Sequence, residues 1–136
     1  MKNLFFLLFL SLSFLTSAQN PGDVAQNFGK DPGFMGGDIQ EITVQADGKI
    51  LVGGNFTFYN GSSERSIIRL NPDFTKDTTF GTGTGFNNTV TQITMQAKGK
   101  ILVVGWFTTY KNTPENRIIR LNPDGSIDTS FNIGTG

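Results

Sequence analysis

Residues 42–52 recur, with few changes, as residues 93–103. The 51-residue offset then holds without a gap: residues 67–73 return as 118–124, and 77–80 as 128–131. Of the 47 pairs that run from Ile39 with Val90 to Gly85 with Gly136, 27 are identical. A chain this self-similar builds one supersecondary unit twice, and one such unit cannot bury its faces alone. Residues 28–34 also resemble 80–86, which predicts a partial unit upstream. The expected organisation is a partial repeat over 19–38, a full repeat over 39–89, and a second over 90–136 that is truncated at its end.

Each unit reads as antiparallel β. In residues 40–46, Ile42, Val44 and Ala46 alternate with Glu41, Thr43 and Gln45, the period of a strand with two unlike faces. Asp47-Gly48 predicts a two-residue type I′ hairpin, which needs positive φ at both central residues. The second copy has Lys98-Gly99 there, a weaker first residue. Residues 50–54 are almost wholly apolar or glycine, as in a strand covered on both faces. Residues 60–65 read as a polar loop, 67–70 as a short third strand, and Asn71-Pro72-Asp73 as a turn. Residues 76–80 are expected to add a short fourth strand. Three or four strands in about 50 residues fit one blade of a β-propeller. A β-solenoid fits less well, since its coils are shorter and lack an internal hairpin.

The first eighteen residues predict an export leader. Lys2 precedes an apolar run over 4–15, and Thr16-Ser17-Ala18 supplies small residues for cleavage after Ala18. The run is about 12 residues against the roughly 20 a membrane span needs. No later segment is apolar enough to span, so the expected product is a secreted or cell-surface chain without a membrane span.

Composition removes several chemistries. The 136 residues include no Cys and no His, which excludes disulfides, thiolate zinc sites, cysteine nucleophiles and histidine-based triads. Eleven basic and eleven acidic residues leave no net charge to hold a nucleic acid.

The joint pattern of residues 46–56, Ile67-Ile68-Arg69-Leu70-Asn71-Pro72-Asp73 and Asp77-Thr78-Thr79-Phe80 resembles the delta-60 repeat. The resemblance covers about 23–136. It implies a β-propeller repeat of secreted bacterial proteins, commonly in long tandem arrays, and it carries no catalytic residues. The second copy departs at Lys98, Val104 and Trp106, where the first has Asp47, Gly53 and Asn55. Two blades leave two apolar faces uncovered, so an incomplete propeller is expected. Its partners would be further repeats of a longer chain or copies of itself, with an extracellular glycan or protein as a further partner.

A residue held at the same place in both copies serves the blade; one that differs is freer to serve a ligand. Arg69 with Arg120, and Asp77 with Asp128, therefore read as a bridge or turn cap repeated in each blade. Gly48, Gly54, Gly99 and Gly105 read as backbone devices. Residues 81–85 are glycine-rich but lack the Lys-Ser/Thr and helix of a phosphate loop. Asp73 with Asp77, and Glu64 with Glu115, are nominal carboxylate pairs for glycoside hydrolysis, but nothing in the sequence tunes them. No catalytic residue, cofactor or metal site is expected; no calcium-loop spacing occurs. The candidate binding residues are aromatic: Trp106, Tyr59 and Tyr110, whose rings offer a flat apolar face with a polar handle. The competing role for Trp106 is filling space between blades. Three Asn-x-Ser/Thr triplets, at Asn55, Asn60 and Asn87, are incidental in a bacterial protein.

Overall fold

A computed structural model describes residues 33–81 and 84–134. The leader expected over 1–18 and most of the partial repeat over 19–38 lie outside them. All elements below belong to the unit that starts at Phe34.

The repeat produces two copies of one antiparallel sheet. In the first blade, β2 (Ile39–Val44), β3 (Ile50–Gly54) and β6 (Ile67–Leu70) lie in the order β2-β3-β6. In the second, β7 (Val90–Met95), β8 (Ile101–Gly105) and β11 (Ile118–Leu121) lie in the order β7-β8-β11. Registers match across the repeat: Val52 opposes Ile68, and Val103 opposes Ile119. Both outer pairings carry a bulge, at Gln40 and at Thr91. Beside each bulge the chains run too close for a side chain. A Cβ on Gly54 would lie 2.1 Å from the Asp38 carbonyl oxygen, and one on Gly105 would lie 2.1 Å from that of Thr89. Both glycines are therefore required in both copies. Apart from one 3-10 turn at Ala97–Gly99, the described residues are all-β, built of propeller blades whose sheets do not close into a ring.

Three local expectations change. The Asp47-Gly48 hairpin is a three-residue loop over 46–48: the Gln45 N–H donates to the Lys49 carbonyl at 2.7 Å, and Gly48 alone of the pair is left-handed, at φ 82°. In the second copy the Gln96 N–H donates to the Lys100 carbonyl at 2.8 Å, the same three-residue closure, but Lys98 (φ 60°) and Gly99 (φ 69°) are both left-handed. The polar loop over 60–65 contains a hairpin of its own, β4 (Phe58–Tyr59) with β5 (Ser62–Ser63), turned by Asn60 (φ 47°) and Gly61 (φ 77°). Its counterpart is β9 (Thr109–Tyr110) with β10 (Thr113–Pro114), and β1 (Phe34–Met35) adds a third strand to the first. The expected fourth strand reduces to one bridge per blade, Leu70 with Lys76 and Leu121 with Ile127.

The core follows from strand alternation. Val52, Ile68 and Leu70 face one way and join Phe56 and Tyr59. Leu51 and Ile67 face the other way and join Val90, Ile93, Ile101, Val103, Phe107 and Tyr110 of the second blade. So β3 is covered on both faces, as expected. The strand β2 shows the opposite of a simple amphipathic reading. Its polar side, with Glu41 and Thr43, is half-buried, and the Thr43 hydroxyl donates to the Ile93 carbonyl at 3.3 Å. Its apolar side is open: Ile42 is 58% and Val44 66% exposed. The equivalents of Ile39 and Ile42 on β7, Val90 and Ile93, are 0% and 4% exposed, because the first blade covers them.

Candidate functional site

Each blade carries the same charged cluster at the end of its sheet. Arg69, on β6, donates from Nε to Asp77 Oδ2 at 2.7 Å, and Lys49 Nζ reaches the same oxygen at 2.7 Å. Asp77 Oδ1 accepts from the Thr79 N–H and hydroxyl. Burial would raise the Asp77 pKa, but donors from Lys49, Thr79 and Arg69 outweigh it and hold the carboxyl well below its ordinary range. In the second blade Arg120, Lys100 and Ser130 surround Asp128 in the same way, at 2.8 Å and 3.1 Å for the two ion pairs. There the Ser130 hydroxyl and Lys100 do most to depress the pKa. Each arginine lies over a phenylalanine, Arg69 on Phe80 and Arg120 on Phe131. The bridge-and-cap reading of these repeated residues describes the observed contacts.

Two more of the nominated carboxylates, Asp73 and Glu64, are engaged too. Asp73 accepts the Thr75 hydroxyl and N–H, and Asp124 those of Ser126; these bonds lower both pKa values. Buried Glu64 pairs with Lys76. A general acid needs the opposite of the shift at Asp73, Asp77, Asp124 and Asp128.

The aromatic candidates separate. Tyr59 and Tyr110 are buried, and their hydroxyls donate at 2.6 Å to the Phe74 and Gly125 carbonyls of their own blades. Burial, helped by the Asp124 charge, raises the Tyr110 phenol pKa. Each ring thus pins the Asn-Pro-Asp turn to the small hairpin, a role legible in the repetition of Tyr in both copies. Trp106 is 60% exposed and fills no space between the two described blades. Its ring lies 5.0 Å from the guanidinium carbon of Arg117, which has φ 64°. Asn55 and Ser66 occupy these two positions in the first blade. There they line a cleft of about 160 Å³ with Thr57, Arg65, Asn87 and Asn88. One location in the repeat is therefore a cleft of polar side chains floored by Phe56 and Phe86 in one blade and an exposed Trp–Arg pair in the other. Sequence comparison of the copies found Trp106 but missed Arg117, although both differ between copies and are therefore informative by the same criterion.

Among the described residues no group of three or more potential ligands could hold a metal ion, and no helix is long and apolar enough to cross a membrane. No curated protein and no solved structure matches the chain. A family model described as a β-propeller domain of unknown function (DUF5122) matches residues 45–80 and 96–131, segments separated by the same 51-residue offset. Those two segments make up just over half of the 136 residues and contain the charged cluster of each blade, so the chain belongs to this β-propeller repeat family.

Proposed function

We propose that this chain is an exported, non-catalytic β-propeller repeat module that acts as a scaffold or interaction surface. The carrying observation is the uncovered apolar side of β2, whose counterpart on β7 is buried against a neighbouring blade. The sequence of residues 1–18 and the likeness to the delta-60 repeat support export. The engagement of Asp73, Asp77, Asp128 and Glu64 in ion pairs and turns supports a non-catalytic role. An apolar face of this kind marks an interaction site. Replacing Ile42 and Val44 together by threonine is expected to leave the sheet intact, since threonine suits strands. It should weaken self-association of the concentrated full chain by at least about tenfold, because an apolar side chain of this size contributes about 1.5 kcal/mol or more when buried. Sedimentation velocity reads the change; unchanged association would remove the interaction reading.

A second reading is favoured by one observation, the exposed ring of Trp106 beside Arg117. We propose it as the contact for an extracellular glycan, with the ring stacking on a sugar face. Trp106→Ala should abolish saturable binding on a glycan array while changing stability by no more than about 1 kcal/mol, the upper worth of an exposed cation–π pair. An array with no saturable signal for the parent chain would dismiss this reading.

A further inference from the structure

Unused hydrogen-bond donors collect in the cleft between the first blade and the connection into β7. The cleft holds about 160 Å³, room for about five waters at about 30 Å³ each. It is shaped by bonds that leave its donors free. The Phe86 N–H donates to the Arg65 carbonyl at 3.2 Å and brings the connection onto the first blade. Asn87 is taken up by the fold: its Oδ1 accepts the Thr108 and Thr109 N–H groups at 2.9 and 3.0 Å, and its amide donates to the Thr108 hydroxyl at 2.8 Å.

The other amides face the opposite way. Asn55 Oδ1 accepts the Asp38 N–H, and Asn88 Oδ1 accepts the Thr89 N–H at 2.7 Å. A carbonyl oxygen held by a backbone N–H fixes the orientation of the amide, so both NH2 groups are left without an acceptor among the described residues. Ser66 is 5% exposed, and its hydroxyl has no partner among those residues. Of the four arginines, Arg69 and Arg120 hold aspartates and Arg117 lies over Trp106. Arg65 has neither an acid nor a ring among the described residues, and no carboxylate lines the cleft.

The blade itself does not require these side chains. Ser66 has φ 63°, its N–H donates to the Phe56 carbonyl at 3.1 Å, and its carbonyl accepts the Gly54 N–H at 3.0 Å. Arg117 repeats that backbone, with φ 64° and bonds of 3.0 and 2.9 Å to Phe107 and Gly105. The conformation therefore belongs to the repeat, while Asn55, Arg65 and Ser66 are replaced by Trp106, Asn116 and Arg117 in the second copy.

A cleft lined by free donors and one uncompensated cation suits an occupant that supplies acceptors and one negative charge. An ionised carboxylate accepts only, and its two oxygens match the guanidinium fork. A dianion such as sulfate would leave one charge unmatched while losing part of its water. We propose that this cleft binds the carboxylate of a small organic acid. Arg65 takes the carboxylate, and the Asn55 and Asn88 amides and the Ser66 hydroxyl donate to the remaining oxygens. The volume limits the acid to a few heavy atoms. The site is separate from the Trp106–Arg117 pair and from the open side of β2, and it depends on neither reading.

The test titrates the full chain with sodium pyruvate, sodium acetate or sodium sulfate, each at ionic strength matched with sodium chloride. Nuclear magnetic resonance follows the side-chain amides of Asn55 and Asn88 and the Arg65 Nε–H. Pyruvate, an acid with acceptors and no donor, should shift these signals saturably. Acetate should do so more weakly and sulfate least. Arg65→Gln should melt like the parent, because Arg65 is exposed and unpartnered, and should bind pyruvate at least tenfold more weakly. Ser66→Gly keeps the left-handed backbone and removes the hydroxyl, so it should fold and bind a few-fold more weakly. Three results overturn the proposal: shifts no larger than those with chloride alone, pyruvate binding unchanged by Arg65→Gln, or sulfate binding more tightly than both carboxylates.

Discussion

Phe107→Ala is expected to destabilise the chain by about 3–5 kcal/mol, the cost of emptying a fully buried phenylalanine site. Phe107 has no exposed surface and sits in the cluster that both blades share. Its ring centre lies 4.3 Å from that of Phe86, which in turn lies 4.5 Å from Tyr110. Loss of the ring therefore opens a hole at the contact between blades. A loss of this size is a large fraction of the roughly 5–15 kcal/mol that holds a typical domain together. Urea unfolding followed by circular dichroism reads the effect. The neighbouring substitution Trp106→Ala is the internal control, because that side chain stands in solvent. If the two variants unfolded at the same denaturant concentration, the shared core would not be the main support of the fold.

Asp77→Ala is expected to cost about 3 kcal/mol, the low end for breaking a buried ion pair, since the Lys49 ammonium keeps contact with solvent. The substitution strands Arg69, whose side chain is nearly enclosed and whose Nη1 also holds the second blade at Pro123. Asp128→Ala should cost less, since Arg120 is more exposed. The same cluster sets the acid response. The native Asp77 carboxyl is depressed below the ordinary value of 3.8, so its contribution is complete above that value. It is lost as the pH falls below about 4 towards the depressed native value, because the unfolded state then binds the proton first. Asp128 follows the same sign. Thermal melts between pH 7 and pH 2 should show the parent chain losing stability over the acid end of that range and Asp77→Ala losing less. Parallel curves for the two would show that Asp77 does not carry the acid response.

The positions of the main strands were legible because the copies repeat the residues that specify them: Ile50 and Val52 with Ile101 and Val103, and Ile67 to Leu70 with Ile118 to Leu121. The arginine–aspartate bridges were legible for the same reason. The small hairpin β4–β5 was readable from Asn60-Gly61, a strong turn signal inside a stretch that is otherwise polar. Its counterpart, turned by Lys111 (φ 48°) and Asn112 (φ 63°), carries no such signal and follows from context. The paired left-handed residues Lys98 and Gly99 are likewise a matter of context, since local propensity favours that geometry in the Asp47-Gly48 copy.

The burial of β2 and β7 marks the boundary between the two kinds of information. Their alternating patterns are nearly the same, Ile42-Thr43-Val44 against Ile93-Thr94-Met95. Alternation alone determines that one side of each strand is apolar, and with the repeat it determines an all-β chain of blade-like units. It does not determine which side meets another blade. Ile93 is buried because Leu51, Gly53 and Ile67 stand in front of it; Ile42 is open because no described residue occupies that place. Burial is a property of what lies opposite, and a residue's own identity states only its preference. The tertiary structure likewise decided the fates of the aromatic rings. Tyr59, Tyr110 and Trp106 are alike as amphipathic side chains, yet the turn carbonyls capture the two tyrosines, while Trp106 stands at a sheet end with solvent in front of it.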